Sequence, residues 1–148
     1  ARMTTVNIGG TDVTATATEI NNATKRVIQI QVTDPNGDAL TTGDGKAYIR
    51  IDSILNGMNL VEVAAHVTTA SSSGTPTIQI HNVTDAVDML STPLTIDANE
   101  KDSSTATTAA VINTAQDDVA TGDELRIDVD TAGTGTKGLI VSLIFELP

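Results

Sequence analysis

From residue 46 to residue 85 the chain reads KAYIRIDSILNGMNLVEVAAHVTTASSSGTPTIQIHNVTD, three short segments of alternating apolar and polar residues separated by clear breaks. Period-2 patterning in runs rich in Thr, Val and Ile suits pleated strands, whose surface accommodates branched side chains better than a helix does. Residues 60–68 and 77–83 flank a Ser/Gly/Thr-rich stretch at 69–76, and this pattern predicts a hairpin. Val61, Val63, Ala65 and Val67 would share one face with Ile78 and Ile80, leaving Glu62, His66, Gln79 and His81 on the other. One apolar and one wet face describe an antiparallel sheet covered on one side.

The same rhythm recurs along the chain. A strand is expected over Val27, Ile28, Ile30 and Val32, ended by the turn Asp34-Pro35-Asn36-Gly37-Asp38. Others follow at 47–51, 94–96 and 105–112, with one helical turn at 86–90. Leu125, Ile127 and Val129 alternate with Arg126, Asp128 and Asp130, and the flexible turn TAGTGT leads to residues 139–145, the most apolar run and an expected central strand. About eight strands with long, irregular connections predict an all-β chain, a jelly-roll-like antiparallel β-sandwich with an N-terminal extended arm. An immunoglobulin-like sandwich is the alternative, without the Trp that often anchors one.

At 148 residues one domain is expected, divided as an arm at 1–24 and a sandwich at 25–148. In the arm Thr16 and Glu19 have the spacing of a capping box, opening a helix of about two turns through Ile20 and Ala23; a first edge strand around Val6 to Ile8 followed by a loop is the alternative. Such a helix is too short to persist alone, so Val6, Ile8, Val13 and Ile20 are the expected partner-binding residues. Aromatic residues make up 1% of the chain. A core built largely of alanine and valine gains less than the roughly 1.5–3 kcal/mol that each large side chain supplies, so the chain is expected to borrow burial from neighbouring copies or partners.

A net charge of −11 argues against direct contact with nucleic acid, which needs clustered Lys and Arg. No apolar run approaches the roughly 20 residues that cross a bilayer, and ARMTTVNIGG lacks the apolar centre of a signal peptide. Without cysteine, neither disulfides nor thiolate metal sites arise. The turn at 34–38 begins like a calcium loop, but its twelfth position is Gly45 rather than Glu, leaving an ordinary turn. In the expected hairpin His66 would face His81, a pair able to hold a metal or to make a pH-sensitive subunit contact, though no third ligand is evident. Asp117-Asp118 and Asp128/Asp130 could in principle serve glycoside chemistry, but their polar settings give little reason for the raised pKa a general acid needs. Neither a catalytic site nor a cofactor is expected.

Two stretches carry a resemblance. VNIGGTDVTATATEINNATK, residues 6–25, resembles a GGT-x-V-T-rich segment of tailed-bacteriophage virion structural proteins through Gly9, Gly10, Thr11, Val13, Thr14, Thr16, Ala17, Glu19, Ile20 and Asn21. Residues 43–145 look like a β-sandwich domain of phage head and fibre proteins. The resemblance implies a virion location after synthesis in a host cytoplasm. It also implies a capsid-surface decoration or cement protein, a homotrimer bound to the major capsid protein, with no membrane partner. A tail- or head-fibre module recognising a host ligand through loops 69–76 and 97–104 is the other role it implies.

Overall fold

The computed structural model describes residues 6–148. It begins with two short strands, β1 (Val6–Ile8) and β2 (Thr11–Val13), and a helix, α1 (Ala17–Thr24). Long strands follow: β3 (Arg26–Gln31), β4 (Gly43–Arg50), β5 (Met58–Thr69) and β6 (Thr77–Asn82). Then come the short β7 (Val87–Asp88), β8 (Leu90–Thr92), β9 (Leu94–Thr95), β10 (Val111–Ile112) and β11 (Asp118–Val119). Two long strands, β12 (Glu124–Thr131) and β13 (Lys137–Glu146), close the chain.

One sheet runs β11-β5-β13-β3 and the other β4-β12-β6-β7, with every pairing antiparallel. Counting β3, β4, β5, β6, β7, β11, β12 and β13 as first to eighth, the sheets read 1-8-3-6 and 2-7-4-5. This is the double Greek key of a jelly roll. The edge beside β6 is shared: β7 pairs with one end and β9 with the other, while β8 leaves to form a ribbon with β10. Six of the expected strands, β3, β4, β5, β6, β12 and β13, therefore belong to the sandwich frame; its other two, β7 and β11, are not among those expected, and the strands expected at 94–96 and 105–112 supply only the short excursions β9 and β10.

The frame overturns the expected hairpin. β5 lies in the first sheet and β6 in the second, so residues 69–76 carry the chain across the sandwich instead of folding it back. Composition marks a turn; it does not say whether the next strand pairs or crosses over. Within β5 the expected face also changes midway. Phe145 of β13 pairs with Leu60 and Ile144 with Glu62, leaving Val61 as the extra residue of a β-bulge. Met58 and Leu60 point inward before the bulge, Ala65 and Val67 after it, and Val61 is turned out to solvent.

Between the sheets sit Ile, Leu, Val and Met side chains, with Phe145 the one buried aromatic. β13 is central as expected, but only one of its faces is fully buried: Ile140, Ser142 and Ile144 on the outer face are half-covered. Residues 86–90, expected as a helical turn, form β7 and the start of β8, because their backbone is drawn onto β6. Of residues 105–112 only β10 is strand.

Candidate functional site

The arm folds as its sequence dictates. Gly9 and Gly10, at φ 61° and 86°, make the two-residue turn that joins β1 to β2, a backbone that residues with a Cβ resist. The Thr16 N–H donates to Glu19 Oε2 at 2.7 Å and the Glu19 N–H to Thr16 Oγ1 at 3.2 Å, the reciprocal capping box. Those bonds from Thr16, backbone first and hydroxyl second, hold the Glu19 carboxyl below its ordinary value. The described side chains at 14–20, 23 and 24 are all exposed, Ile20 at 45%. Val6, Ile8 and Val13 lie on the hairpin strands, and their side chains fall outside the described residues. The arm is tied to the sandwich at its end, where Thr24 Oγ1 donates to Glu146 Oε1 at 2.9 Å and Arg26 Nη1 to the Ala23 carbonyl at 2.8 Å.

His66 and His81 do not meet, because their strands belong to different sheets. His66 Nδ1 lies 3.6 Å from Asp102 Oδ2, and His81 Nδ1 2.7 Å from Asp88 Oδ1. Each histidine has a carboxylate neighbour in place of the other ring. No cluster of three or more His, Asp or Glu suited to a metal occurs among the described residues. At Asp34 the side chain accepts the Asn36 N–H and the carbonyl accepts the Gly37 N–H, an Asx turn.

Both expected recognition loops are tied down. Ser71 is fully buried: its Oγ donates toward the Ser73 and Gly74 carbonyls and accepts the Thr134 N–H. This locks 69–76 onto TAGTGT, which is consequently no free turn. In the other loop, Asp97 accepts the Thr107 N–H and hydroxyl, Glu100 the Thr105 hydroxyl and Asp102 the Ser104 N–H. The Thr107 bonds hold Asp97 below its ordinary pKa, and those from Ser104, helped by His66, do the same for Asp102. Asp117 is buried and its carbonyl accepts the Leu60 N–H, while Asp118 is exposed on β11.

The outer faces of the two sheets differ. Across the second run Tyr48, Arg126, His81 and Asp88 in register. Arg126, overlooked in the sequence, organises this face: its Nε reaches Asp128 Oδ2 at 2.9 Å and its Nη2 reaches Asp44 Oδ2 at 2.9 Å. The Gly45 N–H donates to Asp128 Oδ1 at 2.7 Å. The signal was available in the Arg126/Asp128/Asp130 alternation, but Asp44 enters only through the fold. The outer face of the first sheet is uncharged on its β3 and β13 side, with Val27, Gln29, Gln31, Ile140, Ser142 and Ile144, and carries Glu62 and His66 beside Ala64 on β5.

Asp130 is exposed, yet partial desolvation and then the charges of Asp128, Asp44 and Asp88 raise its pKa. A raised folded-state pKa means that ionised Asp130 opposes folding at neutral pH, and that this penalty disappears once the carboxyl is protonated. Asp130→Asn is expected to raise the melting temperature at pH 7, with the difference closing below about pH 4, near the unfolded carboxylate value. Thermal melts of both proteins across pH check this, and equal melting temperatures at pH 7 would refute it.

In comparisons with known proteins, no family model matches this chain, and neither a curated protein nor a solved structure gives a significant match. No helix among the described residues is long and apolar enough to cross a membrane.

Proposed function

We propose that this chain is a bacteriophage virion structural protein, a decoration subunit that docks on the capsid surface through its N-terminal arm and stabilises the head shell in company with other copies. The observation that carries the reading is the arm itself. A single hairpin and an eight-residue helix are each marginal in water, yet a capping box closes the start of the helix, a Gly-Gly turn closes the hairpin, and Ile20 is left exposed. Such a segment gains stable order by burying its apolar positions on a partner. Binding limited to the assembled shell would stabilise that shell by mass action. The jelly roll supports the reading by analogy alone, since this architecture recurs in capsid proteins but also elsewhere.

The test is binding of the purified chain to phage heads stripped of it. Ile20→Asp is expected to weaken binding about tenfold or more, the worth of one buried aliphatic contact, with an unchanged melting temperature for the sandwich. Undiminished binding of that variant would sink the arm-docking reading.

A fibre module recognising a host ligand is the second reading, favoured by one feature. Tyr48, 56% exposed, stands beside Arg126 on the charged outer face. Binding to host cells that is lost in Tyr48→Ala, together with no affinity for heads, would support this reading over the first.

A further inference from the structure

The two sheets have four outer edges, and three are protected in ways that discourage strand addition. β4 carries Asp44, Lys46 and Arg50, two glycines and a register break. The edge beside β6 is made of two-residue strands. On the β5 side, the two-residue β11, the Asp117 and Lys101 carbonyls and Ser103 Oγ take up edge donors. β3 has no such guard beyond Arg26 at its start. From Val27 to Gln31 it reads VIQIQ, with no charge, proline, glycine or bulge.

The hydrogen-bond parity defines what this edge offers. The Val32 N–H donates to the Leu139 carbonyl at 2.7 Å, so Ile30 and Ile28, two and four residues back, also direct their backbone groups toward β13. Val27, Gln29 and Gln31 therefore turn their N–H and C=O groups outward, and those groups have no partner among the described residues. The same three side chains are exposed, Val27 at 64%.

We propose that β3 pairs antiparallel with β3 of a second copy of this chain, about a two-fold axis at Gln29, joining two four-stranded sheets into one. The sequence is self-complementary about that residue. Gln29 meets Gln29, Ile28 meets Ile30, and Val27 meets Gln31, so every outward backbone group of one copy finds its counterpart on the other. Ile28 and Ile30, packed against the core but only half-buried, gain cover from each other. The same register brings Lys25 of one copy within a residue of Asp34 of the other, opposite charges at both ends of the ribbon. For a chain of net charge −11, an uncharged edge is also where two copies approach with least repulsion. An isologous pair of this kind closes on itself, which a two-fold axis requires and the expected threefold does not provide.

The proposal is independent of the capsid reading and is tested in solution on the full chain. Light scattering behind size exclusion, with sedimentation equilibrium, should show a dimer at micromolar concentration. Gln29→Lys sets like charges face to face across the axis and should weaken dimerisation about tenfold or more with an unchanged melting temperature. In this cysteine-free chain, Gln29→Cys should give a disulfide-linked dimer on mild oxidation, and Ile54→Cys, also exposed but remote from β3, should not. A monomer, a trimer that Gln29→Lys leaves intact, or a dimer lost in Ile20→Asp but kept in Gln29→Lys would each overturn the proposal, the last by assigning self-association to the arm.

Discussion

Phe145→Ala is expected to cost about 3–5 kcal/mol of folding stability, the usual penalty for emptying a buried aromatic site. Phe145 is the largest side chain in the core and is fully buried on the central strand, opposite Leu60 across the β5 pairing. The neighbouring register break at Val61 allows little relaxation on that side, because any shift of β5 there must keep Leu60 inward and Val61 outward. With no second aromatic in the core, the cavity would be lined by aliphatic side chains already committed to packing between the sheets. Against the roughly 5–15 kcal/mol typical of a domain, the loss would be severe. Phe145→Leu keeps most of the volume and should cost under about 1.5 kcal/mol. Urea denaturation of the three proteins measures both values. If alanine costs no more than leucine, the sheets close over the gap and the core is not held at that end.

What could be read in advance divides by the range of the interaction. The capping box at Thr16 and Glu19 was legible because its bonds span three residues and require only the helix they start. Strand character in β12 and β13 was legible for the same reason, since alternation is a property of the segment itself. The partners of each strand were not. The loop at 69–76 has the composition of a hairpin turn, but Ser71 is buried against residues 132–136, a contact across more than sixty residues that sends the chain to the other sheet. The same crossover separates His66 from His81. The bulge at Val61 was hidden because VEVAAHV alternates plausibly in either register, and only β13 selects one. Strands of two residues, such as β7 and β11, have too little pattern to announce themselves. The docking features show the same division. Ile20 and its helix could be named from local sequence, whereas VIQIQ acquires its meaning only once β3 is placed at the end of a sheet.

Asp128→Ala is the second substitution with a large expected effect, about 2–4 kcal/mol. Asp128 is only 5% exposed, and its two oxygens accept from the Arg126 Nε and the Gly45 N–H. Removing the carboxylate strands that backbone N–H and leaves Arg126 with Asp44 alone, so the joint between β4 and β12 loosens where the register already breaks. The cost stays below that of a fully buried ion pair because the Arg126 side chain retains 25% of its exposure. Asp128→Asn keeps an oxygen for the Gly45 N–H but sets an amide NH2 against the Arg126 Nε, so it gives up that hydrogen bond with the charge and should lie between alanine and the parent in denaturation experiments. A cost for alanine below about half a kcal/mol would mean that Asp44 and solvent suffice for Arg126 and that the tie has no structural role. The substitution also separates the two faces of the molecule. Asp128 lies on the second sheet and the proposed pairing edge on the first, so the folded fraction of Asp128→Ala should dimerise as the parent does. A loss of stability with intact self-association would mark the charged face as the clamp of the sandwich and the uncharged edge as its means of meeting another copy.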